Sequence, residues 1–150
     1  MDSPCLANLS MRYRAFRSIG EELFMQAFET ASMPFEEWTH EAHLRMAWNY
    51  LTTHGLAKGT PLIKEGIIKF NEKNKERITH GYSETVTMFY IHVINKCVLS
   101  MPAGHTFEDF ILCNQHLTDV SYLGNFYSKS LLESAKSKEV FIEPDKHPLP

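Results

Sequence analysis

The most constraining feature of the chain is the apolar stretch from Val86 to Leu99 and the spacing inside it. Val86, Phe89, Val93 and Cys97 recur at three- and four-residue steps, which places their side chains on one face of an α-helix. Met88, Ile91 and Val98 widen that face, so the helix is expected to be central and touched on several sides. Val86, Ile91, Val93 and Ile94 are β-branched and would suit a strand, but strands alternate and rarely exceed about ten residues. The spacing predicts a helix from Tyr82 to Met101, closed by Pro102. Thr87, His92, Asn95 and Lys96 interrupt the run, and no segment supplies the ~20 apolar residues that span a bilayer.

The remaining elements organise around this helix. Leu23, Phe24, Ala27, Phe28 and Ala31 form a helical stripe over Ser18 to Ala31, ended by Pro34. Thr39 is placed to cap a helix from His40 to His54, and Gly55 to stop it in a left-handed conformation. Thr60 followed by Pro61 predicts a third helix start, with Ile63, Ile67 and Phe70 on its buried side. The polar stretch Asn71 to His80 is expected to be a surface loop. Thr106 and Asp109 have capping-box spacing ahead of Phe107, Phe110 and Ile111. Shorter pieces are expected from Ser128 and from Ser134 to Phe141. The stretch Glu143 to Pro150, with three prolines, must be extended.

Five to six helices on short connections imply an all-α fold, a compact bundle or orthogonal array. At 150 residues the chain fits one domain, which would bury about 70% of the surface it exposes unfolded. The expected organisation is a loose N-terminal segment at 1–17 and one helical domain over 18–150 with an extended C-terminal tail.

Charge and cysteine content narrow the function classes. With 15 basic and 18 acidic residues the chain has no net positive surface to attract nucleic acid. Lys64, Lys69, Lys73, Lys75 and Arg77 are interleaved with Glu65, Glu72 and Glu76, the pattern of a solvated helix face. Cys5, Cys97 and Cys113 cannot all pair, and Cys97 and Cys113 lie in apolar runs that suit buried free thiols. Without a secretory leader, this favours a cytoplasmic protein, and no membrane partner is expected. The chain has no Gly-rich phosphate loop, no G-x-S-x-G elbow and no H-E-x-x-H.

Chemistry is concentrated in a polar cluster. His40 and His43 stand three apart at a helix start and share a face, so two neutral imidazoles there can ligate one divalent cation. Glu84, at the start of the most apolar helix, is the candidate third metal ligand and is also favoured there by the helix dipole. Tyr82 and Glu84 are the candidate catalytic pair, Arg45 and Thr85 the candidate substrate-binding residues. Thr87, Tyr90 and His92 are further candidates to line a pocket, while Trp38 and Trp48 are expected in the core.

At W-T-H-E-A-H-L (Trp38 to Leu44), G-Y-S-E-T (Gly81 to Thr85) and E-P-D-K-H-P-L-P (Glu143 to Pro150) the chain resembles a group of small all-helical proteins found mainly in bacteria. The resemblance covers residues 35 to 150 and implies the helical fold but no activity, since none is established for the group. Its second motif often reads Y-H-E-T, and here Ser83 stands where that histidine would be.

Three functions fit these residues. The first is an enzyme-like protein holding a divalent metal ion at His40, His43 and Glu84 with an open position for water or substrate. The second is an interaction module in which the cluster is structural and the Pro-rich tail or an apolar groove meets a protein partner. The third is metal-free binding of a small-molecule ligand in an aromatic pocket. Convergence of His40, His43 and Glu84 discriminates the first from the others.

Overall fold

The computed structural model describes residues 14–150, with side chains from Gly20 onward. Among the described residues it is all-α, with helices α1 (Arg14–Glu29), α2 (His40–Lys73), α3 (Glu84–Leu99), α4 (Phe107–Cys113), α5 (Lys129–Glu133) and α6 (Ala135–Glu139), and no strand. Short 3-10 turns connect the later helices. Most of the segment expected to be loose, residues 1–13, lies outside the described residues, whereas residues 14–17 already belong to α1. No helix among the described residues is long and apolar enough to cross a membrane.

Local chemistry sets the helix starts. Thr39 caps α2 by accepting the Ala42 N–H at 3.2 Å, and Ser83 caps α3 by accepting that of Val86 at 3.3 Å. Thr106 and Asp109 complete a reciprocal capping box at α4, with bonds of 3.1 and 3.3 Å. Each cap contributes about 1 kcal/mol by satisfying a backbone donor the helix cannot.

The expected stop at Gly55 is real, but the expected restart at Thr60 is not. Gly55 adopts φ 78° and ψ 177°, and the chain resumes helical geometry at once, so α2 is two arms, residues 40–54 and 56–73. Because one left-handed residue redirects the chain, no linker precedes Thr60. The Thr60 hydroxyl instead bonds back to the Leu56 carbonyl at 2.7 Å, and Pro61 lies inside the second arm. Gly59 lets the arms meet closely: a Cβ there would lie 3.2 Å from the Tyr50 carbonyl oxygen.

α3 packs along both arms of α2, as its broad apolar face requires, and α1 and α6 close the sides. Trp48, Phe28, Phe70, Phe89, Phe110 and Tyr127 form the bulk of the core, each at most 1% exposed. Arg45 ties α1 to the first arm by gripping Glu21 at 2.7 and 3.0 Å, and Asn49 adds a third bond to the same carboxylate at 2.8 Å.

The C-terminal segment is extended, as expected, but it is not a free tail. It runs as a strap whose Val140 carbonyl and Ile142 N–H both bond the fully buried Thr85 hydroxyl, at 2.9 and 3.1 Å. Tyr127 donates to the Ile142 carbonyl at 2.7 Å, the Lys146 N–H bonds the Phe126 carbonyl at 2.9 Å, and the Pro150 carbonyl accepts from His92 at 3.1 Å. Leu149 packs on the core.

The free-thiol expectation holds at Cys97 and fails at Cys113, which is disulfide-bonded. A disulfide belongs to an oxidising compartment, so the cysteines no longer favour a reducing one.

Close packing of α1 on the second arm turns on Gly66. A Cβ added there would sit 2.5 Å from the Phe28 ring, and Phe28 is itself locked between Trp38 and Phe70. In urea titrations Gly66→Ala is expected to lose about 1–3 kcal/mol through overpacking. Gly81→Ala, where nothing lies within 4 Å of the new methyl, should change stability by less than about 0.5 kcal/mol. Equal stabilities would mean that Phe28 is not seated against Gly66.

Candidate functional site

The site begins at the first turn of α2. The Thr39 carbonyl accepts two bonds, from the His43 backbone N–H at 3.0 Å and from the His43 ring Nδ1 at 2.6 Å. A carbonyl oxygen can only accept, so Nδ1 carries the proton and Nε2 presents a lone pair. Trp38 stacks on the imidazole with centroids 3.8 Å apart, and Phe28 and Phe70 back the indole at 5.0 and 4.9 Å. Burial in these surroundings holds the His43 pKa down at about 4, against the weaker upward pull of the Thr39 bond; nearby His40 lowers it further. At neutral pH the ring is uncharged.

His43 faces a cavity of about 310 Å³ between α2 and α3, walled mainly by aliphatic side chains such as Met46, Ile63, Ile91 and Ile94. His40, Thr87 and Tyr90 supply the other polar edges. His40 is pinned in the opposite tautomer, its Nε2–H donating to the Leu117 carbonyl at 2.8 Å, and its ring meets Tyr90 edge-on at 5.6 Å. No fully buried side-chain nitrogen or oxygen among the described residues lacks a hydrogen bond. The Nε2 of His43 has no hydrogen-bond partner among the described residues, and the half-buried ring lines the cavity.

A second, outer cavity of about 560 Å³ adjoins the first. His43, Ile67, Val86 and Thr87 line both and form the wall between them. Tyr82 lines the outer cavity, and its hydroxyl donates to Glu84 Oε1 at 2.6 Å. The other oxygen of Glu84 receives Lys64 Nζ at 2.7 Å. Burial, then the bond to Glu84, push the Tyr82 phenol well above its usual range. Burial works against the Glu84 charge, but the bonds from Lys64 and Tyr82 outweigh it and keep the carboxylate ionised below its usual range.

The structure therefore brings together only part of the predicted cluster. His40 and His43 share a cavity, with Thr87 and Tyr90 as anticipated, and Trp38 and Trp48 are core residues. Glu84 lines neither cavity, being committed to Lys64 and Tyr82. Among the described residues no group of three His, Cys, Asp or Glu side chains is arranged to hold a metal ion. The three-ligand metal reading is therefore unsupported among the described residues: His40 and His43 line one cavity, and Glu84 is held outside it by Lys64 and Tyr82.

The substrate-binding expectations need similar revision. Arg45 lines a further cavity of about 560 Å³ with Phe24, Glu37 and Glu108, but its guanidinium is paired with Glu21 and lies over the Phe24 ring at 4.4 Å, while Thr85 spends its hydroxyl on the C-terminal strap. His92 is exposed and holds Pro150. Ser83 serves as the α3 cap. Lys64, expected on a solvated helix face, instead pairs with Glu84 twenty residues away on another helix, a pairing no local pattern announces.

No protein-family model, curated protein or solved structure matches the chain. The chemistry of the site is therefore read from its geometry.

The state of His43 has a thermodynamic consequence. The unfolded chain takes up this proton near pH 6.5, while the folded chain waits until about 4. Stability is thus intact above pH 6.5 and falls as the pH drops through that window, by up to about 3 kcal/mol from this group. Compared with His43→Gln, the native protein should show that additional loss in denaturant titrations between pH 7 and 4. Parallel pH profiles for the two proteins would contradict the buried neutral imidazole.

Proposed function

We propose that the chain is a small-molecule-binding protein whose ligand enters the cavity between α2 and α3 and donates a hydrogen bond to His43 Nε2. The observation that carries this reading is a neutral imidazole, its tautomer set by the Thr39 carbonyl and its Nε2 unpartnered, in a cavity wall that is mainly aliphatic. Ligand sites characteristically combine a largely apolar cavity of at least about 300 Å³ with a few placed polar groups. The ligand class that fits is a compact apolar or aromatic molecule carrying one N–H or O–H.

The same geometry favours binding over proton abstraction. A general base works best with a pKa near the operating pH, and a pKa of about 4 leaves His43 a weak base at neutrality. As a hydrogen-bond acceptor it is fully effective there. The alternative seat for a protein partner, the Pro-rich tail, is occupied in strapping α3.

An isosteric pair of probes tests this. Indole and indene have nearly the same shape, and only indole has an N–H. By calorimetry or chemical-shift perturbation indole is expected to bind roughly tenfold more tightly, the worth of one well-made hydrogen bond in a dry site. His43→Phe, verified as folded by circular dichroism, should erase the difference. Equal affinity of the native protein for both probes, or no binding of either, would overturn the proposal.

A further inference from the structure

The outer cavity extends the site and gives it a charge. This inference rests on the ligand-binding reading above. The two cavities adjoin at His43, Ile67, Val86 and Thr87, which line both, so a ligand that occupies both must lie between these side chains. Polar and charged groups crowd the outer wall as they do not the inner: Tyr82, Ser83, Thr79, His80, Lys129 and Lys138 stand there, with Glu133 as an acidic counterweight.

These charges are not equivalent. Lys129 and Glu133 face one another at 3.8 Å on α5, both well exposed. Lys138 is half-buried, faces the same cavity and has no ion pair among the described residues. Its helix is firmly placed, because the neighbouring Ser137 is fully buried and bonds the Leu132 and Ser134 carbonyls at 3.2 and 2.8 Å. A half-buried ammonium has shed part of its hydration and gains from an anion that completes its hydrogen bonds.

We propose that the ligand is an anionic amphiphile of the carboxylate class, its largely apolar body, with the N–H or O–H that His43 accepts, in the inner cavity and its carboxylate against Lys138 in the outer one. The mixed polarity of the outer wall tolerates the water that accompanies a charged group.

Calorimetric titration at low ionic strength, with indole-3-butyrate and indole-3-butanol as probes, separates the head group from the N–H-bearing body. The carboxylate is expected to bind roughly fivefold to tenfold more tightly than the alcohol, as one partly solvated charge-assisted hydrogen bond allows. Lys138→Gln should abolish that advantage, Lys129→Gln should keep most of it, and indole should bind all three proteins equally. If indole binds but the carboxylate is no tighter than the alcohol, or keeps its advantage in Lys138→Gln, the anionic-ligand inference is overturned and the inner site stands. If indole fails to bind the native protein, both proposals fall together.

Discussion

The site depends on one backbone oxygen. The Thr39 carbonyl closes the first turn of α2 through the His43 N–H and fixes the His43 ring through Nδ1, while the hydroxyl of the same residue caps the helix. Helix start, imidazole orientation and tautomer are therefore set by a single residue. Trp38, held between Phe28 and Phe70, covers one face of the ring and removes part of the hydration that would stabilise a charged form. Burial then does the rest, and the histidine is left as an uncharged acceptor.

Around that anchor the fold divides its polar groups into structural and available ones. Glu21, Arg45 and Asn49 consume one another between α1 and α2. Glu84, Lys64 and Tyr82 do the same between the second arm of α2 and the start of α3. Thr85 is spent on the strap. Among the groups that line the two cavities, His43 on the inner side and Lys138 on the outer are the ones on which the proposals rest. A polar residue beside an apolar run is a candidate until its partners are known, and here most candidates prove to be partners of each other.

Much of the fold could be read from periodicity and caps. The period of three to four in α3, the Thr39 cap and the Thr106–Asp109 box are local, and local chemistry decides them. The second arm of α2 was misplaced because Thr60–Pro61 carries a strong start pattern, whereas the true start follows from the φ of Gly55. The site was half legible. His40 and His43 share a face by spacing alone, but the third member of any cluster must come from another helix, and its direction depends on tertiary packing. Glu84 points to Lys64 for that reason, and Lys138 could not be seen at all until α6 was placed beside the outer cavity.

Long-range ¹H–¹⁵N spectroscopy of the imidazole nitrogens, followed from pH 8 to pH 4, tests the central claim most directly. His43 is expected to remain the neutral Nδ1–H tautomer throughout the neutral range and to begin titrating only as the pH approaches about 4. A His43 signal with the proton on Nε2, or one titrating near the ordinary value of 6.5, would contradict the account, because the acceptor it places in the cavity would not exist.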